Sequence, residues 1–313
     1  MKTIQSPLNY TGGKYKLLSQ ILPFFPKDIN CFIDLFCGGA NVGCNVNCNH
    51  IVFNDLNQKI IQLLQLFKYN DKHIILHSIH SCINKYDLSW VCKNGYDFYN
   101  CTSDKGVGNY NKQKFCQLRN DFNKIKPPFD FKYYIMLYVL IVFSFNNQIR
   151  FNNKGEFNLP VGKRDFNFKL QTKLNDFIDR LQSISCSFYS LDFRKLATHT
   201  LAQSDFVYCD PPYLITCATY NENGQWTTSD ETDLLSKLDE LNSANIRFAL
   251  SNVLRNKGKE NTILLEWLKK NSHYNCISLN YNYYNSNYHT TDKTNRTEEV
   301  LITNYQIWKN PRN

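Results

Sequence analysis

The sequence predicts an α/β fold with a doubly wound sheet, interrupted by a separate basic module. Three observations predict it: short apolar strands that end in a glycine turn or an acid, helical spacing of apolar residues after them, and one segment with nearly all of the excess charge. With 313 residues and 42% hydrophobic content, the chain is large enough for two domains.

The first strands of the predicted sheet lie near the start of the chain. CFIDLF, Cys31 to Phe36, is an apolar strand followed by the glycine turn GGANVG and a helix-compatible stretch. HIVFND is a second strand that ends at Asp55, and apolar residues then recur at helical spacing from Ile60 to Phe67. This order of elements is typical of the start of a doubly wound sheet.

The same α/β pattern resumes after residue 165. Apolar spacing between Leu170 and Leu181 predicts a helix. A further helix is predicted over residues 230–242, capped by Ser229 or Asp230. Strands are predicted over residues 187–193, 206–210, 247–252 and 298–305. One more helix is predicted over residues 261–270.

One contiguous segment carries the basic charge of the protein. Leu63 to Arg164 contains 15 Lys and Arg against 7 Asp and Glu, a net +8 out of +9 for the whole chain. Such a segment indicates a module that faces a polyanion such as DNA or RNA, and a solvated basic surface is the alternative.

Inside this segment the sequence predicts three kinds of local structure. The apolar run Tyr133 to Phe145 has 13 residues, which is too short to span a bilayer, and predicts a core helix. Residues 94–111 are predicted to be a loop, and residues 145–164 a loop or hairpin. We expect residues 1–62 and 165–313 to form one domain, with 63–164 inserted as another.

The cysteines and the start of the chain indicate a cytoplasmic protein. The 12 cysteines include no CxxC pair, so reduced thiols are expected rather than disulfides or a zinc site. MKTIQSPLNY lacks the apolar core region of a secretory signal. We therefore expect no metal and no membrane partner.

Two candidate features lie beyond the first two strands, where open parallel sheets bind ligands. Gly38 and Gly39 let the backbone approach a ligand closely, although a purely structural turn fits equally well. Asp55 is placed to accept hydrogen bonds from ribose hydroxyls, and a turn or cap role is the alternative.

A third feature is the rigid corner in FVYCDPPYL, residues 206–214. Asp210 is an anionic acceptor, and the carbonyl of Pro211 is a second one, held because Pro212 restricts the residue before it. Tyr213 offers a flat ring. Two acceptors beside a stacking ring suit a planar heterocycle with an amino group, whereas the alternative is a proline turn that ends a strand.

Together these motifs resemble the Dam-type adenine-N(6)-specific DNA methyltransferases of the alpha group, which have a DPPY motif. The resemblance covers nearly the whole chain. It is carried by NYTGGK (Asn9 to Lys14), the FxGxG-like motif at Phe36, FNDLN, RFNNKGEFNLPVGK (Arg150 to Lys163), VYCDPPY, and Arg296, Glu298 and Glu299 around the start of EEVLITNY.

The resemblance implies a mixed sheet of the S-adenosylmethionine-dependent methyltransferase type. Residues 1–62 and 165–313 would then be the catalytic domain, and residues 63–164 a mainly helical target-recognition domain that binds DNA. The implied cofactor is S-adenosylmethionine, with S-adenosylhomocysteine as the product. The cofactor contacts implied are Tyr10, Lys14, Phe36, Gly38, Gly39, Asp55, Asp192 and Asp210, and the catalytic motif is Asp210, Pro211, Pro212 and Tyr213.

The implied substrate is an adenine flipped out of double-stranded DNA, in GATC or a related site containing GAT. The DNA-binding candidates are Asn9, Asn146, Gln148, Arg150, Asn152 and Pro160. Arg150 is the candidate for a guanine contact, since arginine bridges the two major-groove acceptors of guanine. Asn146 and Asn152 either read an adenine or cap turns. A monomer is expected, with a separate restriction endonuclease as a compatible partner.

Three residues depart from the family pattern. Asn9 stands where many members carry a lysine, Ala40 replaces the usual third glycine, and Gln148 stands where an apolar residue is expected. Asn9 and Gln148 bear on the target site. Roles in restriction-modification, in phage defence and in housekeeping methylation all fit.

Two other functions share these motifs. One is methylation of adenine in RNA or of another planar amine, and the basic insert before DPPY favours duplex DNA over it. The other is a DNA-binding relative without activity. The presence of Lys14, Asp55 and Asp210 favours an enzyme over this second alternative.

Overall fold

The chain forms two compact units. The computed structural model describes residues 3–9, 12–216, 226–279 and 297–307, so Tyr10 and Arg296 lie outside the described residues. The first unit comprises residues 1–13 and 58–184, and the second comprises residues 14–57 and 185–313.

The helices are distributed over both units. In chain order the α-helices are α1 Leu18–Ile21, α2 Gln58–Tyr69, α3 Lys72–Lys85, α4 Val91–Asn94, α5 Gly108–Lys124, α6 Phe131–Phe143, α7 Phe168–Ser183, α8 Thr228–Ser243 and α9 Thr262–Lys270. Short 3-10 helices are Lys14–Leu17, Leu22–Phe24, Gly43–Asn45, Asp97–Tyr99, Phe145–Asn147, Phe193–Lys195 and Thr198–Thr200.

The second unit is built around a mixed sheet, eight-stranded within the described residues. Its strands are β1 Cys31–Asp34, β2 His50–Asn54, β3 Cys186–Tyr189, β4 Phe206–Cys209, β5 Arg247–Asn256, β6 Lys259–Glu260, β7 Asn275–Leu279 and β8 Glu298–Thr303. Their order is β3-β2-β1-β4-β5-β8-β7, with β6 paired to β5. Strands β1 to β5 pair in parallel, whereas β8 is antiparallel to β5 and β7. The predicted α/β fold with a doubly wound mixed sheet is confirmed.

The direction of winding reverses between β1 and β4. The chain places β2 and β3 on one side of β1, and β4 and β5 on the other. In the parallel register Asp34 lies opposite Tyr208, so β1 and β4 end almost level with each other. Such a reversal opens a crevice at the carboxyl ends of the two strands, where ligands bind in this class of sheet.

Helices α8 and α9 cover one side of this sheet with apolar side chains. Leu234, Leu238 and Leu241 of α8 share a buried core with Val207 of β4 and Phe248 of β5. The predicted cap of α8 was wrong: Thr227 caps the helix, and Asp230 is its partner in a capping box. The hydroxyl oxygen of Thr227 accepts a hydrogen bond from the backbone N–H of Asp230, so Thr227, and not Ser229 or Asp230, is the capping residue.

Other elements also differ from the sequence predictions; β5, for example, continues to Asn256 rather than ending at residue 252. Strand β3 ends at Tyr189 rather than at residue 193, because Asp192 leaves the sheet to cap the next 3-10 turn. Helix α5 begins at Gly108, inside the predicted loop over 94–111. After the glycine turn the chain forms only the 3-10 helix Gly43–Asn45 before β2. Strands β6 and β7 were not predicted.

The first unit is helical, with α6 at its centre. All residues of α6 from Tyr133 to Phe143 are buried, which confirms the predicted core helix. It packs against α2, α3 and α5, and α2 packs against α7. Residues 144–161 form a hairpin-like loop closed by the bridges Ser144–Val161 and Phe151–Phe157. Within the described residues no helix combines the length and the hydropathy that a membrane crossing requires.

The start of β1 is fastened by the buried carboxylate of Asp205, and its loss should destabilise the second unit. Asp205 accepts hydrogen bonds from the backbone N–H groups of Cys31 (3.1 Å) and Ala202 (2.9 Å). Asp205→Ala leaves both donors without their acceptor, so we expect the free energy of unfolding to fall by about 1–3 kcal/mol in urea denaturation.

The matched control for this prediction is Asp28→Ala. Asp28 belongs to the same unit and pairs with Arg247, but 81% of its side chain is exposed. Exposed ion pairs contribute little, so its removal should change the stability much less. Equal losses in the two variants would contradict a special role for Asp205.

Candidate active site

The glycine turn and Asp55 meet at the carboxyl ends of β1 and β2. The backbone N–H of Gly38 donates to Oδ2 of Asp55 at 2.8 Å, and the N–H of Asn57 donates to Oδ1 at 2.9 Å. Burial raises the pKa of Asp55, and these two hydrogen bonds oppose the rise. The carboxylate therefore lies next to the turn, where the ribose of a nucleoside ligand is expected.

The turn itself uses left-handed backbone conformations. Gly38 has a φ of +46° and Ala40 a φ of +61°. Glycine adopts this region without strain, whereas an L-residue with a Cβ atom adopts it at a cost of about 1–2 kcal/mol. Position 40 thus favours glycine for a conformational reason, and Ala40 has the smallest side chain that can replace it.

Asp34 ends β1 as a fully buried acid. Its Oδ2 accepts a hydrogen bond from the N–H of Gly43 at 3.0 Å, and burial raises the pKa of the carboxyl group to about 8. A Cβ atom on Gly43 would lie 2.5 Å from the ring of Phe53, so only glycine fits between Asp34 and β2. Asp34 is therefore protonated at neutral pH and acts as an uncharged part of the site.

A buried ion cluster lies beyond β4, at the corner DPPY. Lys14 has only 4% of its side chain exposed, and its Nζ lies 2.9 Å from Oδ1 of Asp210 and 3.5 Å from Oε1 of Glu299. The hydroxyl of Tyr213 lies 3.0 Å from each of the same two oxygen atoms and donates its proton to one of them. Lys14 Nζ also lies 4.8 Å from the centre of the Tyr213 ring.

The charges in this cluster depend on one another. Burial lowers the pKa of Lys14, but Asp210 and Glu299 outweigh that effect and hold it above the usual value. Burial raises the pKa of Asp210, and Lys14 and Tyr213 limit the rise. Lys14 is therefore the positive charge that opposes the effect of burial and favours the ionised form of Asp210.

Phe36 belongs to a cluster of three aromatic rings. Its ring centre lies 5.5 Å from that of Phe193 and 5.8 Å from that of Trp226, which meets it edge-on. Phe193 and Trp226 lie 5.6 Å apart. Asp192 precedes Phe193, and Arg194 donates to its carboxylate from both the backbone N–H and the guanidinium. The structure thus connects two predicted cofactor contacts, Phe36 and Asp192, through Phe193.

The predicted DNA-binding residues lie in the first unit, mostly in the hairpin-like loop. Nε of Arg150 donates to Oδ1 of Asn158 at 2.8 Å. Asn152 organises the tip: its Oδ1 accepts from the N–H groups of Lys154 and Glu156, and its Nδ2 donates to the carboxylate of Glu156. Asn152 therefore caps a turn, which was one of its two predicted roles.

The other DNA-binding candidates lie at the base of this loop. The amide of Asn9 donates to the carbonyl of Asn146 at 2.6 Å, and Asn146 has a φ of +56°. The carbonyl of Pro160 accepts from the N–H of Phe145, and the carbonyl of Gln148 accepts from the hydroxyl of Ser144. Asn9 and the loop are thus brought together, although 137 residues separate Asn9 from Asn146.

Three site residues were missed by sequence reasoning. In the sequence Glu299 belongs only to a closing motif, but in the structure it pairs with Lys14 and Tyr213. The sequence signal that could identify it is an acid at the start of an apolar strand. Asp34 was read as part of a strand. Trp226 has no local signal, since its contacts depend on distant residues. Within the described residues no group of His, Cys, Asp and Glu has the arrangement of a metal site.

Comparisons with known proteins show the family of this chain. The model of a family described as D12 class N6 adenine-specific DNA methyltransferase matches residues 10–284. Type II methyltransferase M.FokI from Planomicrobium okeanokoites is 42% identical over 96% of this chain and 43% of its own length. Modification methylase StsI from Streptococcus sanguinis is 39% identical over 97% and 43%. This chain thus spans less than half the length of these two relatives.

A third relative is a DNA adenine methylase from Haemophilus influenzae. It is 32% identical to this chain, and the alignment covers 66% of this chain and 63% of the relative.

Because the pKa of Asp34 is raised on folding, Asp34→Asn should change how stability depends on pH. Between the pKa of an unfolded aspartate and about 8, the folded state holds a proton that the unfolded state has released. This proton's contribution to stability falls as pH rises, by up to about 1.4 kcal/mol per pH unit. The Asp34→Asn variant has no such proton to lose, so its stability does not fall for this reason as pH rises. Its free energy of unfolding relative to that of the wild type should therefore increase from pH 5.5 to pH 7.5 in urea denaturation.

Asp28→Asn serves as the control for this experiment. A hydrogen bond from Arg247 lowers the pKa of Asp28, so this residue is ionised in both states over the same pH range. Its stability difference from the wild type should be constant with pH. A difference for Asp34→Asn that is equally constant would show that Asp34 is not protonated in the folded protein.

Proposed function

The chain belongs to the family of D12 class N6 adenine-specific DNA methyltransferases, and on this premise we propose that it methylates the exocyclic amine of adenine in double-stranded DNA. The methyl donor is S-adenosylmethionine, and S-adenosylhomocysteine is the product. The observation that carries the proposal is the buried cluster in which Lys14 Nζ lies 2.9 Å from the carboxylate of Asp210, the first residue of the DPPY corner.

The residues around the first turn suit this cofactor. Asp55 offers carboxylate oxygens next to the glycine turn, which matches ribose hydroxyls, and Phe36 offers an apolar ring. The carboxylates of Asp55 and Asp210 also favour a positively charged sulfonium. When bound, S-adenosylmethionine supplies an activated methyl group. Lys14, Gly38, Gly39 and Asp192 complete the proposed contacts, together with Tyr10, which lies outside the described residues.

Asp210 and Pro211 prepare the amine for the reaction. The lone pair of the adenine amine is delocalised into the ring, so the amine is a poor nucleophile. Hydrogen bonds from the amine to the Asp210 carboxylate and the Pro211 carbonyl favour a pyramidal nitrogen with a localised lone pair. These bonds strengthen as the nitrogen becomes positive, so they stabilise the transition state more than the ground state.

Tyr213 is the proposed stacking partner of the adenine. A base inside a duplex hides its amine, so the target adenine has to be flipped out of the stack. The Tyr213 ring is held in position by its hydroxyl, which is anchored to Asp210 and Glu299. Pro212 keeps the corner rigid, so the ring and the two acceptors act on the same base.

Residues 63–164, which lie within the first unit, are the proposed DNA-recognition module. They carry a net charge of +8, which binds phosphates without reading sequence. Base reading is assigned to the loop that contains Arg150, with GATC or a related GAT-containing site as the target. Gln148, Asn146, Asn152, Asn9 and Pro160 support that loop or contact the DNA. We further propose a cytoplasmic monomer whose restriction endonuclease, if one is present, acts separately.

Asp210→Ala should abolish methyl transfer while leaving DNA binding intact. The variant removes the anionic acceptor of the amine, so kcat should fall by about 100-fold or more. Transfer of labelled methyl groups from S-adenosylmethionine to duplex DNA measures the activity, and a gel-shift assay measures binding. Asp28→Ala is the control and should retain both. Turnover by Asp210→Ala at the wild-type rate would contradict the assigned mechanism.

The same assay with single-stranded RNA and with protein as acceptors tests the alternative substrates. Duplex DNA should be the preferred acceptor. A wild-type protein that binds DNA but transfers no methyl group to any of the three would overturn the enzyme assignment.

Lys14→Met should move the acid limb of the pH profile to higher pH. Burial raises the pKa of Asp210 and Lys14 opposes the rise, so loss of the lysine raises the pKa of Asp210 further. A protonated Asp210 no longer accepts the hydrogen bond from the amine, and activity is then lost at a higher pH as the solution is acidified. The profile of kcat/KM measures this shift.

Lys16→Met is the matched control for the lysine experiment. Lys16 is exposed on the same 3-10 helix as Lys14. Its substitution should leave the acid limb where it is in the wild type. An unchanged acid limb in Lys14→Met would show that Lys14 does not set the ionisation of Asp210.

A further inference from the structure

A second buried carboxylate lies in the catalytic unit, outside the ion cluster at Lys14. Glu231, in the first turn of α8, has no exposed surface. Its Oε1 accepts from the side-chain amides of Asn252 (3.0 Å) and Asn261 (2.7 Å). Its Oε2 accepts from the indole N–H of Trp226 at 2.6 Å. Three donors on one carboxylate compensate for its burial, so the group has a defined position.

This carboxylate joins three separate segments of the unit: the start of α8, β5 and the start of α9. Asn252 lies in β5, and Asn261 caps α9, where its Oδ1 accepts from the N–H of Leu264. Trp226 comes just before the capping residue of α8. The bond to Trp226 is the connection that leads towards the predicted cofactor contacts, because the indole ring packs edge-on against Phe36.

Phe193, the third ring of the aromatic cluster, is also anchored to the start of α8. Phe193 begins the 3-10 turn that Asp192 caps. The guanidinium of Arg194, the next residue, bonds Asp230 at 2.6 Å and Asp233 at 2.7 Å, both on α8. The first turns of α8 thus hold Trp226 through Glu231 and Phe193 through Arg194. Phe36 is in contact with both rings.

We propose that Trp226 and Glu231 are positioning residues of the cofactor site: Glu231 fixes the Trp226 indole, which in turn fixes Phe36 beside the glycine turn. The inference rests on the proposed function, because Phe36 is assigned to the pocket of S-adenosylmethionine there. It adds Trp226 and Glu231 to the residues assigned to the cofactor site. Their effect is on binding of the cofactor rather than on the reacting amine.

The test compares Trp226→Phe with Trp267→Phe. Trp267 donates its indole N–H to Asp239 near the other end of α8 at 2.9 Å, so both variants lose one indole–carboxylate hydrogen bond of the same helix. We expect Trp226→Phe to weaken binding of S-adenosylhomocysteine by about five- to tenfold in titration calorimetry, the range that one aromatic contact controls. Trp267→Phe should stay within about twofold of the wild type.

Kinetics separate positioning from a general loss of stability. Trp226→Phe should raise KM for S-adenosylmethionine by a similar factor while KM for DNA stays unchanged. Glu231→Gln acts on the same bond, so the double variant Trp226→Phe with Glu231→Gln should bind no more weakly than the weaker of the two single variants. If the losses of binding free energy in the two single variants add up in the double variant, Glu231 does not act through the Trp226 indole and the proposal is overturned.

The possible outcomes distinguish this inference from the proposed function. If the wild type binds S-adenosylhomocysteine and Trp226→Phe binds it equally well, the positioning role is overturned and the proposed function stands. If the wild type binds neither S-adenosylhomocysteine nor S-adenosylmethionine, the proposed function fails and the inference with it. A selective loss in Trp226→Phe supports the inference.

Discussion

The lysine buried beside two carboxylates is the constraint around which the second unit is arranged. A charged group with 4% of its side chain exposed is tolerated only with charged partners, and removing one partner of such a pair costs about 3–5 kcal/mol. Lys14 finds Asp210 and Glu299, which come from the corner after β4 and from the start of β8. The site therefore forms only when the first, middle and last parts of the unit are all in place.

The same constraint connects the fold to the chemistry. The DPPY corner places Asp210 at the end of β4, but the pKa of its carboxyl group depends on a residue about 200 positions earlier in the chain. The sheet provides two contrasting acids: burial raises the pKa of Asp34 to about 8, whereas Lys14 opposes the rise that burial causes in the pKa of Asp210. The ionisation of two acids near one crevice thus depends on different neighbours.

Local patterns predicted most of the sheet but not the contacts between distant segments. The strands β1, β2, β4, β5 and β8 are apolar runs, whereas β7 is an edge strand with alternating exposed positions and gives no such signal. The motif residues Asp55 and Asp210 were identified from their positions at strand ends. The roles of Glu299 and Glu231 were not, because Tyr213 and the amides of Asn252 and Asn261 are brought to them from elsewhere in the chain.

The most direct measurement is a map of modified adenines in DNA from a methylation-free host that expresses this protein. Long-read sequencing detects N6-methyladenine at each position of the genome. We predict methylated adenines in one short motif that contains GAT, and none in cells that carry the Asp210→Ala variant. A genome without N6-methyladenine above the empty-vector level, despite soluble wild-type protein, would contradict this prediction.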